Sequence, residues 1–297
     1  MGTQNERHTV IEYQAVLKEY YSRYLTEVRC LSLSSVKHYL DALNNISRRL
    51  KDKELIKHSI YEISSLERLN YIRDVLFADS DFVAMNERGK RMYSAGLNNY
   101  CRFASGADFH ETQSKMSALD VPVAAEKAIV TEQTVWKRSE ILRTQAIEMA
   151  GYVCEMNPSH ETFIAEGSKK PYMEGHHALP MKRQGEFGMS LDVYANIICL
   201  CPICHRRIHY GVRQDRIDMA KKIYAYRSLR LMKCGIKLSE NEFVEVSVGF
   251  DVKKYCNIRI LLFVREFNST CISTKAKIHT HFGFISYVKL KRISFSP

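Results

Sequence analysis

Histidine and cysteine crowd into residues 154–209 in a telling order: Cys154, His160, the pair His176–His177, Asn196, Cys201, Cys204, His205 and His209. In CPICHRRIHYG (201–211), His205 and His209 stand four apart. On a helix that spacing places both imidazoles on one face, a turn apart, where they can share one divalent ion. The apolar run Ala195–Leu200 leads into this helix as a strand, and a preceding strand carrying His176 and His177 is expected to lie opposite it. Adjacent strand residues point to opposite faces. One histidine of the pair can therefore face an ion while the other is offered differently to a substrate. Phosphodiester hydrolysis needs that division of labour, with a cation to stabilise charge at phosphorus and a base to activate water.

A second set of ligands interleaves with the first. Cys201 and Cys204 form a CxxC knuckle, and Cys154 and His160 stand as C-x5-H in CEMNPSHETF. Four ligands of the Cys3His type make a closed, tetrahedral, structural zinc site. Such a site would tie the region before the strands to the start of the His205–His209 helix, and stabilise a small irregular fold with little core of its own. Glu174, just before the histidine pair, either orients a ligand or caps the strand. Arg206 and Arg207 either reach phosphates or form a solvated helix face.

Charge narrows the partners. The chain carries a net +11, which suits a polyanion, because Lys and Arg that neutralise phosphates release counterions. The excess is concentrated in residues 252–297, where nine Lys/Arg face one acidic residue, Glu266. No apolar run of 18 residues is present, so no membrane span is expected. The polar start MGTQNERHTV has no secretory h-region, and a cytoplasmic, bacterial-type location is expected. In that setting the nine cysteines read as metal ligands and free thiols rather than disulfides.

The chain of 297 residues divides into four stretches. Residues 1–105 read as a helical domain: helical spacing of apolar residues runs over 11–28, over about 35–51 behind Ser34 as N-cap, from Ser64 or Ser65 onward, and on both sides of Gly89 to about Phe103. Residues 106–131 read as a linker around Pro122, without a sustained period. Residues 132–236 hold the His/Cys constellation, with a helix expected over 132–150, ended by Gly151, and another over 213–233. Residues 237–297 form a basic extension in which YCNIRILLFVREF and FGFISYVKLKRISF have strand character. That extension is read either as a hairpin on the core or a poorly ordered tail, or as a basic clamp on DNA.

Residues 134–236 resemble the HNH endonuclease family, in particular its McrA-like, modification-dependent (type IV) restriction branch; the matching segments are AGYVCEMNPSHETF, PYMEGHHALPM and LDVYANIICLCPICHRRIHYG. The resemblance implies a ββα-metal fold. It implies that His177 is the general base, that His176, His205 and His209 hold a catalytic divalent ion, and that Asn196 steadies the loop and the base. Three histidine ligands are also found in the colicin-type nucleases. Where many relatives carry a second upstream CxxC cysteine, this chain has Asn157, so His160 is taken as the substitute zinc ligand and Cys199 as the reserve. The segments LSLSSVKHYLDALNNISRRL and MYSAGLNNYCRFASG resemble the helical DNA-binding arm of tyrosine recombinases.

The reading is therefore an α+β chain: an N-terminal all-helical recognition domain, a zinc-stabilised ββα-metal (HNH) nuclease domain and a basic β-rich tail. The expected activity is cleavage of double-stranded DNA, with 5-methylcytosine-type modification as the expected mark. Structural Zn2+ and one Mg2+, Mn2+, Co2+ or Ni2+ ion are the expected cofactors, and a homodimer on DNA would serve double-strand cutting. The alternatives are a nicking or homing-type HNH nuclease without modification dependence, and a non-catalytic zinc-containing DNA-binding module.

Overall fold

Apolar periodicity of 3.6 dominates the first hundred residues, and helices follow from it. The computed structural model describes residues 15–249 apart from 126, 131 and 132; the basic tail 252–297 and its expected strands lie outside the described residues. Helix α1 (Ala15–Arg23) runs on through a π-turn (Tyr24–Val28). Then come α2 (Leu33–Asp52), α3 (Leu66–Ala78), α4 (Ser80–Arg88) and α5 (Met92–Ser105). The N-cap of α2 is Ser32, whose hydroxyl accepts from the Ser35 amide at 3.2 Å, not Ser34. LSLSS offers several hydroxyls, and only the extended backbone at Ser32 aims one at an orphan N–H. The packing of α2 against α5 is tight: a Cβ on Gly96 would come within 2.8 Å of Ala42 Cβ. Glycine there lets the two helices approach.

The stretch read as a linker is folded into the body. A 3-10 helix covers Gln113–Leu119, and Phe109, Met116 and Leu119 are buried. Strands β1 (Lys127–Val130) and β2 (Gln133–Trp136) pair as an antiparallel hairpin. The helix expected over 132–150 accordingly begins only at Glu140: α6 is Glu140–Met149, with Ser139 as its N-cap accepting from Leu142 N at 3.3 Å. The QTVW of β2 is rich in strand formers, and the cap at Ser139 marks where helical hydrogen bonding can start.

Strands β3 (Glu174–His177) and β4 (Ile197–Leu200) pair antiparallel, with His176 opposite Ile198 and His177 opposite Ile197. Helix α7 (Pro202–Tyr210) follows β4 directly, and its first position is proline, where a missing N–H costs nothing. The two strands and α7 make a ββα unit. Helix α8 (Arg213–Lys233) packs along it with the expected limits, and α9 (Glu240–Val248) opens on a Ser239–Glu242 capping box inside the stretch read as an extension.

One buried core runs from Val16 to Phe243. Tyr20 meets Tyr194 with ring centroids 4.8 Å apart, Phe109 meets Tyr194 at 6.2 Å, and the Tyr194 hydroxyl donates to Gln145 Oε1 at 2.6 Å. Gln145 in turn donates to the Phe103 carbonyl at 2.5 Å. The N-terminal helices and the ββα unit thus share apolar surface. Among the described residues no helix is long and apolar enough to cross a membrane.

Candidate active site

Strand alternation sorts the residues of β3. Glu174 and His176 point toward α7, while Gly175 and His177 point toward α6. On the α7 side, His176, His205 and His209 converge: their ring centroids lie 5.1, 4.8 and 4.9 Å apart. All three ligand nitrogens lie within 4.8 Å of one another, and Nε2 of His205 and Nε2 of His209 are 3.2 Å apart. Imidazoles bound to one ion at 2.0–2.1 Å would place their nitrogens roughly 3.3 Å apart, so the set fits a divalent cation. Burial, followed by the neighbouring imidazoles of His205 and His209, pushes His176 down to about 3. His209 is lowered by burial first, then by the charges of His205 and Arg206. Both are neutral near pH 7, as metal ligands must be.

Glu174, which the sequence left between two roles, accepts from this cluster. Its Oε2 lies 2.5 Å from His205 Nδ1, and the Tyr172 hydroxyl donates to its other oxygen at 3.2 Å. Burial opposes ionisation of Glu174, but the hydrogen bonds and charge of its partners, His205 first, outweigh it and hold the carboxyl below its usual range. A carboxylate on Nδ1 directs the lone pair of Nε2 inward.

His177 stands apart from the other three. Its Nε2 lies 2.8 Å from Asp192 Oδ1. Asp192 is itself fixed: Oδ2 accepts from the Ser139 amide at 2.6 Å, and its own amide donates to Ser190 Oγ at 3.0 Å. Sequence reasoning missed Asp192; the only signal was a charged residue between Leu191 and Val193 in an otherwise apolar run. Asn196 is fully buried and acts within the loop joining the strands. Its Oδ1 accepts from Leu179 N at 2.8 Å, and its Nδ2 donates to Leu179 O at 3.0 Å and Leu191 O at 2.8 Å. The residues flanking His177 and Asp192 are thereby pinned together.

The second cluster gathers Cys154, His160, Cys201 and Cys204, again with ligand atoms within 4.8 Å of one another. His160 Nδ1 lies 3.4 Å from both Cys201 Sγ and Cys204 Sγ. Three thiols and an imidazole at that spacing suit tetrahedral zinc. Burial disfavours the Cys154 thiolate, yet hydrogen bonds from the backbone of Cys201 and Asn157 and from His160 hold it down at about 7; burial and Cys154 push Cys204 up to about 12. Cys199, the reserve ligand, stands outside this cluster, and burial raises its thiol. Beside it, Arg227 grips both oxygens of Glu155 at 2.8 and 2.6 Å, and Glu155 Oε1 accepts from Cys199 N at 3.0 Å, fastening the Cys154 turn to β4 and α8. Of the two arginines on α7, Arg207 pairs with Asp215 at 2.9 Å, while Arg206 sits over Tyr210.

Residues 164–211 match the HNH endonuclease family model. The chain carries an HNH endonuclease domain. The match covers β3, the pinned loop, β4 and α7, and thus all four site histidines and Asn196, while Cys154 and His160 lie upstream of it. Over 95 residues, 31% of this chain, the sequence is 29% identical to the "Type IV methyl-directed restriction enzyme EcoKMcrA" of Escherichia coli (strain K12). The match spans 32% of that relative's length. No solved structure matches the chain. The HNH domain and its McrA-like resemblance, expected from the motifs, are thus both found.

Proposed function

We propose that this chain is a DNA endonuclease of the restriction type, acting on DNA that carries modified cytosine. What carries the reading is the separation of roles on β3: three imidazoles converge on one point, and the adjacent His177 faces away from them, anchored by Asp192. In this reading His177 takes a proton from water as the oxygen attacks phosphorus, and the bond to the leaving sugar oxygen breaks. Asp192 holds the imidazole in one orientation and stabilises the imidazolium that forms. A divalent ion held by His176, His205 and His209 would supply positive charge against the phosphate and the leaving oxygen. Asn196 keeps the loop that carries Asp192 in register with the strand that carries His177. Zinc on Cys154, His160, Cys201 and Cys204 has a structural role.

The methyl-directed restriction named for the relative supports the choice of modified cytosine. Residues 1–105 supply target recognition, with Lys37, Arg48 and Lys51 on α2 among the cations offered to phosphates. A homodimer on DNA provides two active sites for a double-strand cut. The test is plasmid cleavage with cytosine-methylated and unmodified DNA of one sequence, with Mg2+, Mn2+, Co2+ and Ni2+ in turn, and with His177→Ala as control. Cutting confined to methylated DNA and lost in the variant is the expected result. Equal cutting of both plasmids would overturn the modification dependence, and no cutting with any ion would overturn the nuclease reading.

A further inference from the structure

The cleft around the imidazoles, roughly 580 Å3 in volume, is lined by polar groups that the hydrolytic scheme leaves unused. Three of them stand out. Arg143 of α6 lies one turn beyond the cap residue Ser139, and its amide donates back to the Ser139 carbonyl at 3.3 Å. Its aliphatic stem rests on Gly175: a Cβ at that position would overlap Arg143 Cγ. Because Gly175 and His177 share a face of β3, the bare glycine gives the arginine a track beside His177. From α8 comes Arg216, and from α9 comes Ser247; both line the same cleft. Arg216 Nε and Ser247 Oγ are buried, yet neither has a hydrogen-bond partner among the described residues.

Buried donors left without an acceptor are uncommon, and an unused guanidinium is a planar fork suited to phosphate oxygens. We infer that Arg143, Arg216 and Ser247 are phosphate-binding residues for the substrate strand: Arg143 takes the phosphate presented to His177, and the Arg216–Ser247 pair takes a neighbouring one. The inference rests on the reading of this cleft as a nuclease site. It also gives Gly175 a role, since any side chain there would displace Arg143 from its track.

The test uses the full chain, with two readouts. One is the salt dependence of binding to a cytosine-methylated duplex, followed by fluorescence anisotropy. The other is the kcat and KM of plasmid cleavage. Removing one phosphate-binding cation lowers the slope of log K against log salt by about 0.9. The Arg143→Ala and Arg216→Ala variants are each expected to show that decrease, and Lys233→Ala, an exposed cation at the far end of α8 from the cleft, none. Arg143→Ala is further expected to lower kcat at least tenfold. Gly175→Ala should reproduce that defect with the thermal midpoint followed in parallel, and Arg143→Lys should restore the slope but not kcat. Arg216→Ala and Ser247→Ala should raise KM with kcat nearly unchanged. Wild-type slopes in both arginine variants would overturn the inference, whether or not the protein cuts. If the wild type binds without cutting and the arginine variants still show the smaller slope, the phosphate-binding roles stand and only the nuclease reading fails.

Discussion

Two histidines of the site are oriented by a carboxylate on one ring nitrogen. Glu174 meets Nδ1 of His205, and Asp192 meets Nε2 of His177, so one ring is turned toward the convergence point and the other toward open cleft. Asp192 is the more exacting of the two carboxylates, because it also accepts the Ser139 amide at the start of α6. An asparagine there can preserve that backbone contact while presenting an amide to His177, which favours the wrong tautomer. We expect Asp192→Asn to fold with a near-normal thermal midpoint and to lower kcat on the order of 10²–10⁴-fold, with KM little changed. Single-turnover cleavage separates the cases: an unchanged chemical rate would leave Asp192 a purely structural anchor.

At the scale of elements, connections carry much of the order. Asp79 joins α3 to α4 and receives Arg49 of α2 at 2.7 Å and Lys53 at 3.0 Å. Those two cations, Arg49 first, hold its carboxyl down at about 2. A carboxyl lowered on folding stabilises the folded state above its unfolded value, about 3.9, and loses that contribution as pH falls through the folded value. The destabilisation by Asp79→Asn is therefore expected to be constant between pH 7.5 and 5.5, as read from urea midpoints. A difference that shrinks over that interval would contradict the assignment. Salt should reduce it, since the pair is partly exposed. The loop between β3 and β4 is held differently, by amide side chains: Asn196 makes three hydrogen bonds within it, and Gln184 Oε1 accepts from Leu191 N at 2.6 Å. These bonds are buried and insensitive to salt.

At the scale of the molecule, the helical region and the HNH domain are not separable pieces. Tyr20, Tyr194, Phe103 and Phe109 are fully buried around one another, and each of the two phenylalanines contributes about 1.5–3 kcal/mol on burial. Against a typical net stability of about 5–15 kcal/mol, exposing several of them at once is decisive. Removal of residues 1–105 is therefore expected to abolish cooperative thermal unfolding of the remainder, whatever its effect on DNA binding. A truncated chain that melts in one sharp transition would show that the shared core is dispensable. Recognition by residues 1–105 is accordingly better tested by surface variants such as Lys37→Ala than by deletion.

What the sequence alone made legible lies at short range or in residue type. The i, i+4 spacing of His205 and His209, the CxxC knuckle, the strand alternation of His176 and His177, and the limits of α8 follow from 3.6- and 2-residue periods and from ligand chemistry. His160, read as a ligand because a cysteine was missing at 157, does join the cluster. The β1–β2 hairpin and the 3-10 stretch Gln113–Leu119, which buries Met116 and Leu119, escaped because short strands and 3-10 turns carry almost no periodic signal; α9, with 9 residues, is too short for its period to stand out beside the tail. The carboxylate partners of the site histidines were legible only in part: Glu174 was left between two roles, and Asp192 escaped. Asp192 lies 15 residues from His177, and Glu174 lies 31 from His205. Many carboxylates stand at such separations, and only the pairing of β3 with β4 and the docking of α6 select these two.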